Sequence, residues 1–126
     1  MDGFADMRIL AQVLDGAYGK YAVGVRARLT RADDSGWAIV ADAETDDGGR
    51  IEAWDDRFME RGLYRIIFDI DSYFAGLGAA AAYPEVAVIF RLQNETSAFQ
   101  IQVTLAPYSY STYFGTADAA FGASAG

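Results

Sequence analysis

The chemistry open to this chain is set first by what it lacks. It contains no histidine and no cysteine. A His base, a Ser-His-Asp triad, a thiol nucleophile and a His- or Cys-rich metal site are therefore excluded. Four patterns remain that could do chemistry. Arg50 follows the tight turn Asp46-Asp47-Gly48-Gly49, where its fork could hold a planar carbonyl, enolate or carboxylate; a surface ion pair with Glu52 or Asp47 is the competing reading. Gln100, Gln102 and Thr104 alternate with Phe99, Ile101, Val103 and Leu105. The second set reads as core and the first as a neutral polar face, where a solvated strand would more often carry charge. Ser111 and Tyr113 share one side of a later strand by alternation, but Ser111 has no partner base nearby in sequence. Finally, Asp42, Glu44, Asp46 and Asp47 form an acidic run. It fails the calcium-loop pattern, because the sixth position is Asp47 rather than Gly and the twelfth is Ala53. It reads as a solvated turn, so no metal is expected. Asn94-Glu95-Thr96 matches a glycosylation sequon without a secretory context. There is no phosphate-binding glycine loop, and no cofactor is expected.

The elements that must carry these residues are short strands. Val23 to Thr30 alternates with period two, Asp33-Asp34-Ser35-Gly36 turns, and Trp37 to Ala43 returns. A short strand from Arg50 to Trp54 follows the second turn. Leu63 to Ile70 and Glu85 to Leu92 are apolar, β-branched and aromatic enough to be buried strands. Between them lies the one helix, with Asp71-Ser72 offering an N-cap, Tyr73, Phe74 and Leu77 an apolar face, and Gly78 a stop. Phe99 to Leu105 and Tyr108 to Phe114 end the pattern. These spacings predict an all-β sandwich with one short helix. The predicted domain covers residues 1–116, with a small-residue, flexible tail over 117–126.

Length and charge agree with a single small globular domain. The chain has 126 residues, enough to bury about two-thirds of its unfolded surface without a staple. Ten basic residues face eighteen acidic ones, a net charge of −8. Phosphate backbones and anionic membrane surfaces are repelled, so neither nucleic acid nor membrane is an expected partner. The acidic start Met1-Asp2-Gly3-Phe4-Ala5-Asp6 does not read as a signal peptide, and a cytoplasmic location is expected.

Several motifs in order add a resemblance. They are Gln12-Val13-Leu14-Asp15, Thr45 to Ile51 with Gly49-Arg50-Ile51, Gly62-Leu63-Tyr64, Ser72-Tyr73-Phe74, Tyr83-Pro84-Glu85-Val86, and Ala106-Pro107-Tyr108-Ser109-Tyr110-Ser111-Thr112-Tyr113. From about Ile9 to Thr116 the chain resembles the transthyretin-like family, which includes transthyretin and the hydroxyisourate hydrolases of purine breakdown. The resemblance implies two four-stranded sheets and a dimer-of-dimers homotetramer. One sheet of each subunit, built from the first strand, the Arg50 strand and the last two strands, would face a central channel. The family's hydrolases place one His before the Val-Leu-Asp of the first strand, an Arg after the Asp-Gly turn, and a second His in the penultimate strand. They end in Tyr-Arg-Gly-Ser. Here those positions are Gln12, Arg50, Gln100 and Tyr113-Phe114-Gly115-Thr116.

The resemblance therefore implies a hydrolase-like site, with Arg50, Gln12, Gln100 and Tyr113 in catalytic positions and Gln102, Thr104, Ser111 and Thr116 as substrate contacts. A Gln amide can orient a substrate or water, but it cannot take a proton from water at neutral pH. Three functions fit. The first is a repurposed site acting on a small polar heterocyclic or carbonyl compound, in a specialised biosynthetic pathway. The second is a non-catalytic small-molecule binder like transthyretin. The third is weak 5-hydroxyisourate hydrolysis.

Overall fold

The computed structural model describes residues 8–52, 54, 60–93 and 98–116. The expected tail at 117–126 and the sequon Asn94-Glu95-Thr96 lie outside the described residues. Among the described residues nine strands and one helix follow in chain order: β1 (Arg8–Asp15), β2 (Lys20–Tyr21), β3 (Arg26–Asp33), β4 (Gly36–Glu44), β5 (Arg50–Ile51), β6 (Gly62–Asp69), α1 (Ile70–Gly76), β7 (Glu85–Leu92), β8 (Ala98–Ala106) and β9 (Ser109–Thr116). No helix among the described residues is long and apolar enough to cross a membrane.

The strands form two sheets. One has the order β4-β3-β6-β7; the other has β2-β1-β8-β9, with β5 also paired to β1. The second sheet therefore has five strands where the resemblance implied four. The extra strand is β2, a two-residue piece pairing Leu14 with Tyr21 and Asp15 with Lys20.

The core between the sheets comes from alternation. On β1, Ile9, Ala11 and Val13 point inward; on β8, Phe99, Ile101, Val103 and Leu105 do the same. The other sheet contributes Leu29, Ile66, Phe68 and Val86, and α1 adds Ile70 and Phe74. Each of the Val, Leu, Ile and Phe side chains so withdrawn from water stabilises the fold by about 1.5–3 kcal/mol.

Three of the shifted boundaries have a local cause. The strand expected from Val23 begins at Arg26. Gly24 has φ +79°, and buried Thr45 takes over the neighbouring backbone. The Thr45 Oγ1 accepts from the Val25 N–H at 2.9 Å and donates to the Ala22 carbonyl at 2.6 Å. The Arg50 strand stops at Ile51, while Trp54 is buried with its indole N–H donating to the Ile9 carbonyl at 2.9 Å. The helix cap lies two residues earlier than Asp71-Ser72 suggests. Asp69 is its N-cap, accepting from the Ser72 N–H at 3.1 Å and from its hydroxyl at 2.8 Å.

Two tyrosines lock the sheet that carries the site. The Tyr73 hydroxyl donates to buried Asp15 at 2.6 Å, and Asp15 also accepts from the Ala17 and Tyr18 N–H groups at 2.9 Å. Burial first, then the Asp15 carboxylate, pushes the Tyr73 phenol above its ordinary range, so it remains a donor. The Tyr83 hydroxyl is shared between the Ala106 and Ser109 carbonyls, and the Ala82 N–H donates to the Pro107 carbonyl at 2.7 Å. The β8–β9 turn is thereby held against the loop that follows α1.

Candidate functional site

The site is built by register. β1 runs parallel to β8, pairing Gln12 with Gln102; β5 pairs Arg50 with Gln12; and β9 pairs Tyr113 with Gln102. Residues directly paired across a sheet share a face. Arg50, Gln12, Gln102 and Tyr113 thus form one lateral row on the outward face of the five-stranded sheet. At about 4.8 Å per strand the row spans roughly 14 Å. Gln100 sits one step along β8, paired with Leu10 and Gly115; Thr104 sits one step the other way, paired with Leu14 and Ser111. Residues remote in sequence, from 12 to 113, are gathered on one surface.

Thr116 stands differently. It pairs with Phe99, a core position, so the register sets it apart from the Gln100–Gly115 row. Phe114 has the same parity and stacks on Phe99 (ring centroids 5.7 Å apart) and against Phe90 (5.4 Å), joining β9 to both sheets.

The turn before Arg50 fixes its position. The Asp46 carboxylate accepts from the Gly48 and Arg50 N–H groups at 2.9 Å, and the Asp46 N–H donates to the Arg50 carbonyl at 2.9 Å. This is why an acidic residue stands there, and no group of carboxylates among the described residues could hold a metal ion. Gly49 has φ +72°, and its carbonyl accepts from the Val13 N–H at 2.7 Å. A Cβ at Gly49 would collide with the Val13 carbonyl oxygen and lie 3.3 Å from the Tyr21 Cβ. Gly49→Ala should therefore destabilise the fold by about 3 kcal/mol. Gly48→Ala, which meets only Asp46 Oδ1 at 3.5 Å, should change little. Thermal unfolding of the two variants checks this, and equal melting temperatures would contradict it.

Side-chain contacts orient the rest. The Gln12 Nε2 donates to the Gly48 carbonyl at 3.2 Å. A carbonyl only accepts, so this bond fixes which end of the amide is the donor and leaves Oε1 as the acceptor for the site. The Tyr113 ring lies over Gly115, its hydroxyl filling the space a side chain there would need. The phenol thus leans along β9 toward the row that holds Gln100.

Leu10, Ala11, Gln12, Arg50, Glu52 and Gln100 border a depression of about 90 Å³. Glu52 is the residue the sequence reading placed only as an ion-pair partner. Its Oε2 lies 3.7 Å from Arg50 Nη1, and both side chains remain more than half exposed. The signal was available: Glu52 is two residues beyond Arg50, and Ile51 between them is buried.

A wider trough of about 780 Å³ lies on the other sheet, lined by Arg26, Arg28, Asp42, Glu44, Asp69 and Glu85 among others. Its two arginines each face a carboxylate, and Asp69 is taken up in capping α1. Arg28 donates to both Asp42 oxygens at 2.8 and 3.1 Å, and Arg26 lies 3.7 Å from Glu44. We therefore place the candidate site on the opposite sheet despite the smaller volume.

Comparison with known proteins agrees with this architecture. The chain is 34% identical over 105 residues to the 5-hydroxyisourate hydrolase of Salmonella typhimurium, covering 82% of this chain and 77% of that protein. It is 33% identical over 113 residues to a probable 5-hydroxyisourate hydrolase of Schizosaccharomyces pombe, covering 86% and 90%. The solved structure of the Klebsiella pneumoniae 5-hydroxyisourate hydrolase shares the fold, with a TM-score of 0.78 at 24% identity over 87% of this chain and 99% of that one. The model of the HIUase/transthyretin family matches residues 9–115. With a two-sheet sandwich, a single short helix and these relatives, the chain belongs to the HIUase/transthyretin family.

Proposed function

We propose that this hydroxyisourate-hydrolase-like protein uses the outward face of its five-stranded sheet as a reaction site for a small polar heterocycle bearing a carbonyl, such as a cyclic amide or ureide. The observation that carries the reading is the lateral row Arg50–Gln12–Gln102–Tyr113, with Gln100 beside it. A row of one cation and neutral hydrogen-bonding groups suits a polar ring with several donors and acceptors. A carrier of an apolar ligand would line its site with more hydrocarbon.

In this reading the Arg50 guanidinium holds the carbonyl oxygen and the negative charge that develops on it. Gln12 and Gln100 stand where the family's hydrolases carry histidines, and they orient substrate and water. Tyr113 offers a phenolic proton. Gln102, Thr104 and Ser111 hold the ring's remaining edges. A homotetramer, assembled as two dimers, would turn this open face into a channel between subunits and exclude bulk water.

The test is a panel of cyclic amides and ureides, namely 5-hydroxyisourate, hydantoin and dihydrouracil, each followed by loss of ring absorbance. Catalysed ring opening of at least one supports the reading. Rates equal to buffer for all three would overturn it.

A further inference from the structure

The residues assigned so far hold charge and orient groups, but none takes a proton from water near neutral pH. Glu52 does. We infer that the Glu52 carboxylate is the proton acceptor for water attack at this site. The inference deepens the proposed function and rests on it.

Three observations carry it. First, Glu52 is placed with the others: it borders the same depression as Gln12, Arg50 and Gln100. Second, among the described residues that line the depression it alone can accept a proton, since amides do not, Arg50 is permanently charged, and Leu10 and Ala11 are apolar. Third, the depression of about 90 Å³ has room for an attacking water beside the carboxylate. The contact to Arg50 at 3.7 Å is longer than a close hydrogen-bonded pair, so the guanidinium fork stays available for a carbonyl oxygen.

The step balances without a co-reactant. Glu52 takes one proton from water as the water oxygen bonds to the carbonyl carbon. The carbonyl π pair moves to its oxygen, which Arg50 holds. Collapse re-forms the C=O bond and breaks the ring C–N bond. The leaving nitrogen takes the proton from Glu52, and the acid product loses its own proton to solvent. One water is added across one C–N bond, and nothing is oxidised or reduced.

The experiment compares the full-length wild type with Glu52→Gln and Glu52→Ala on whichever of 5-hydroxyisourate, hydantoin and dihydrouracil the wild type opens. Glu52→Gln should lower kcat about 100- to 1,000-fold with KM within threefold, and should abolish the acidic limb of the pH–rate profile. Added formate should restore part of the activity of Glu52→Ala. A Glu52 that merely braces Arg50 predicts otherwise: a raised KM, an intact acidic limb and no formate rescue. That result, or full kcat in Glu52→Gln, overturns this inference and leaves the proposed function standing. A wild type that opens none of the three overturns the proposed function and this inference with it.

Discussion

Replacing Arg50 with alanine should lower kcat/KM about 100- to 1,000-fold on any ring the wild type opens, with the protein still folded. The size follows from removing one preorganised donor aimed at developing negative charge. The folded state should survive because the side chain is more than half exposed and, among the described residues, its ion pair is the 3.7 Å contact to Glu52. Pairs of that kind contribute at most about 1 kcal/mol. The backbone at 50 is held by Asp46 and by pairing with Gln12, neither of which needs the guanidinium. Arg50→Lys should fall between the two, keeping the charge but losing the planar fork. Steady-state kinetics with a thermal melt on each variant checks this. An Arg50→Ala protein with unchanged kcat/KM would remove the residue from the site.

The second large effect concerns histidine. A Gln12→His, Gln100→His double variant should open 5-hydroxyisourate about a hundredfold faster than the wild type at neutral pH. Imidazoles are stronger bases than carboxylates and remain partly unprotonated there, so the gain is expected even with Glu52 in place. The two positions lie on adjacent strands, one step apart in register, because Gln12 pairs with Gln102 and Gln100 with Leu10. A single imidazole at either position should recover only part of the rate. A wild type already as fast as the double variant would show that the amides do not limit the chemistry.

Much of this site was legible from residue alternation. Phe99, Ile101, Val103 and Leu105 are buried as their period-two spacing requires, which leaves Gln100, Gln102 and Thr104 outward. β7 runs from Glu85 to Leu92 as its β-branched composition indicates. The row itself was not legible from local pattern, because it depends on β1 lying parallel to β8, a pairing between chain segments some ninety positions apart. No local signal encodes such a contact, and only the family resemblance placed the strands in one sheet. Boundaries moved where a side chain outcompeted the ladder, as Thr45 does at Val25. At the helix, Asp69 and Asp71 are equally good caps by residue type; complete burial of Ile70 inside the first turn decides for Asp69. Glu52 was readable from spacing alone, but its weight emerged only with the depression that it shares with Gln12 and Gln100.

The central claim is that the outward face of the five-stranded sheet is where a small polar ring binds. The most direct measurement is an amide NMR titration of the deuterated protein with uric acid, a stable ring of the same chemical class. Shifts concentrated at Gln12, Arg50, Glu52, Gln100 and Gln102, and lost in Arg50→Ala, are the predicted result. Shifts confined to the Arg28–Asp42 trough of the other sheet, or none at saturating ligand, would contradict it.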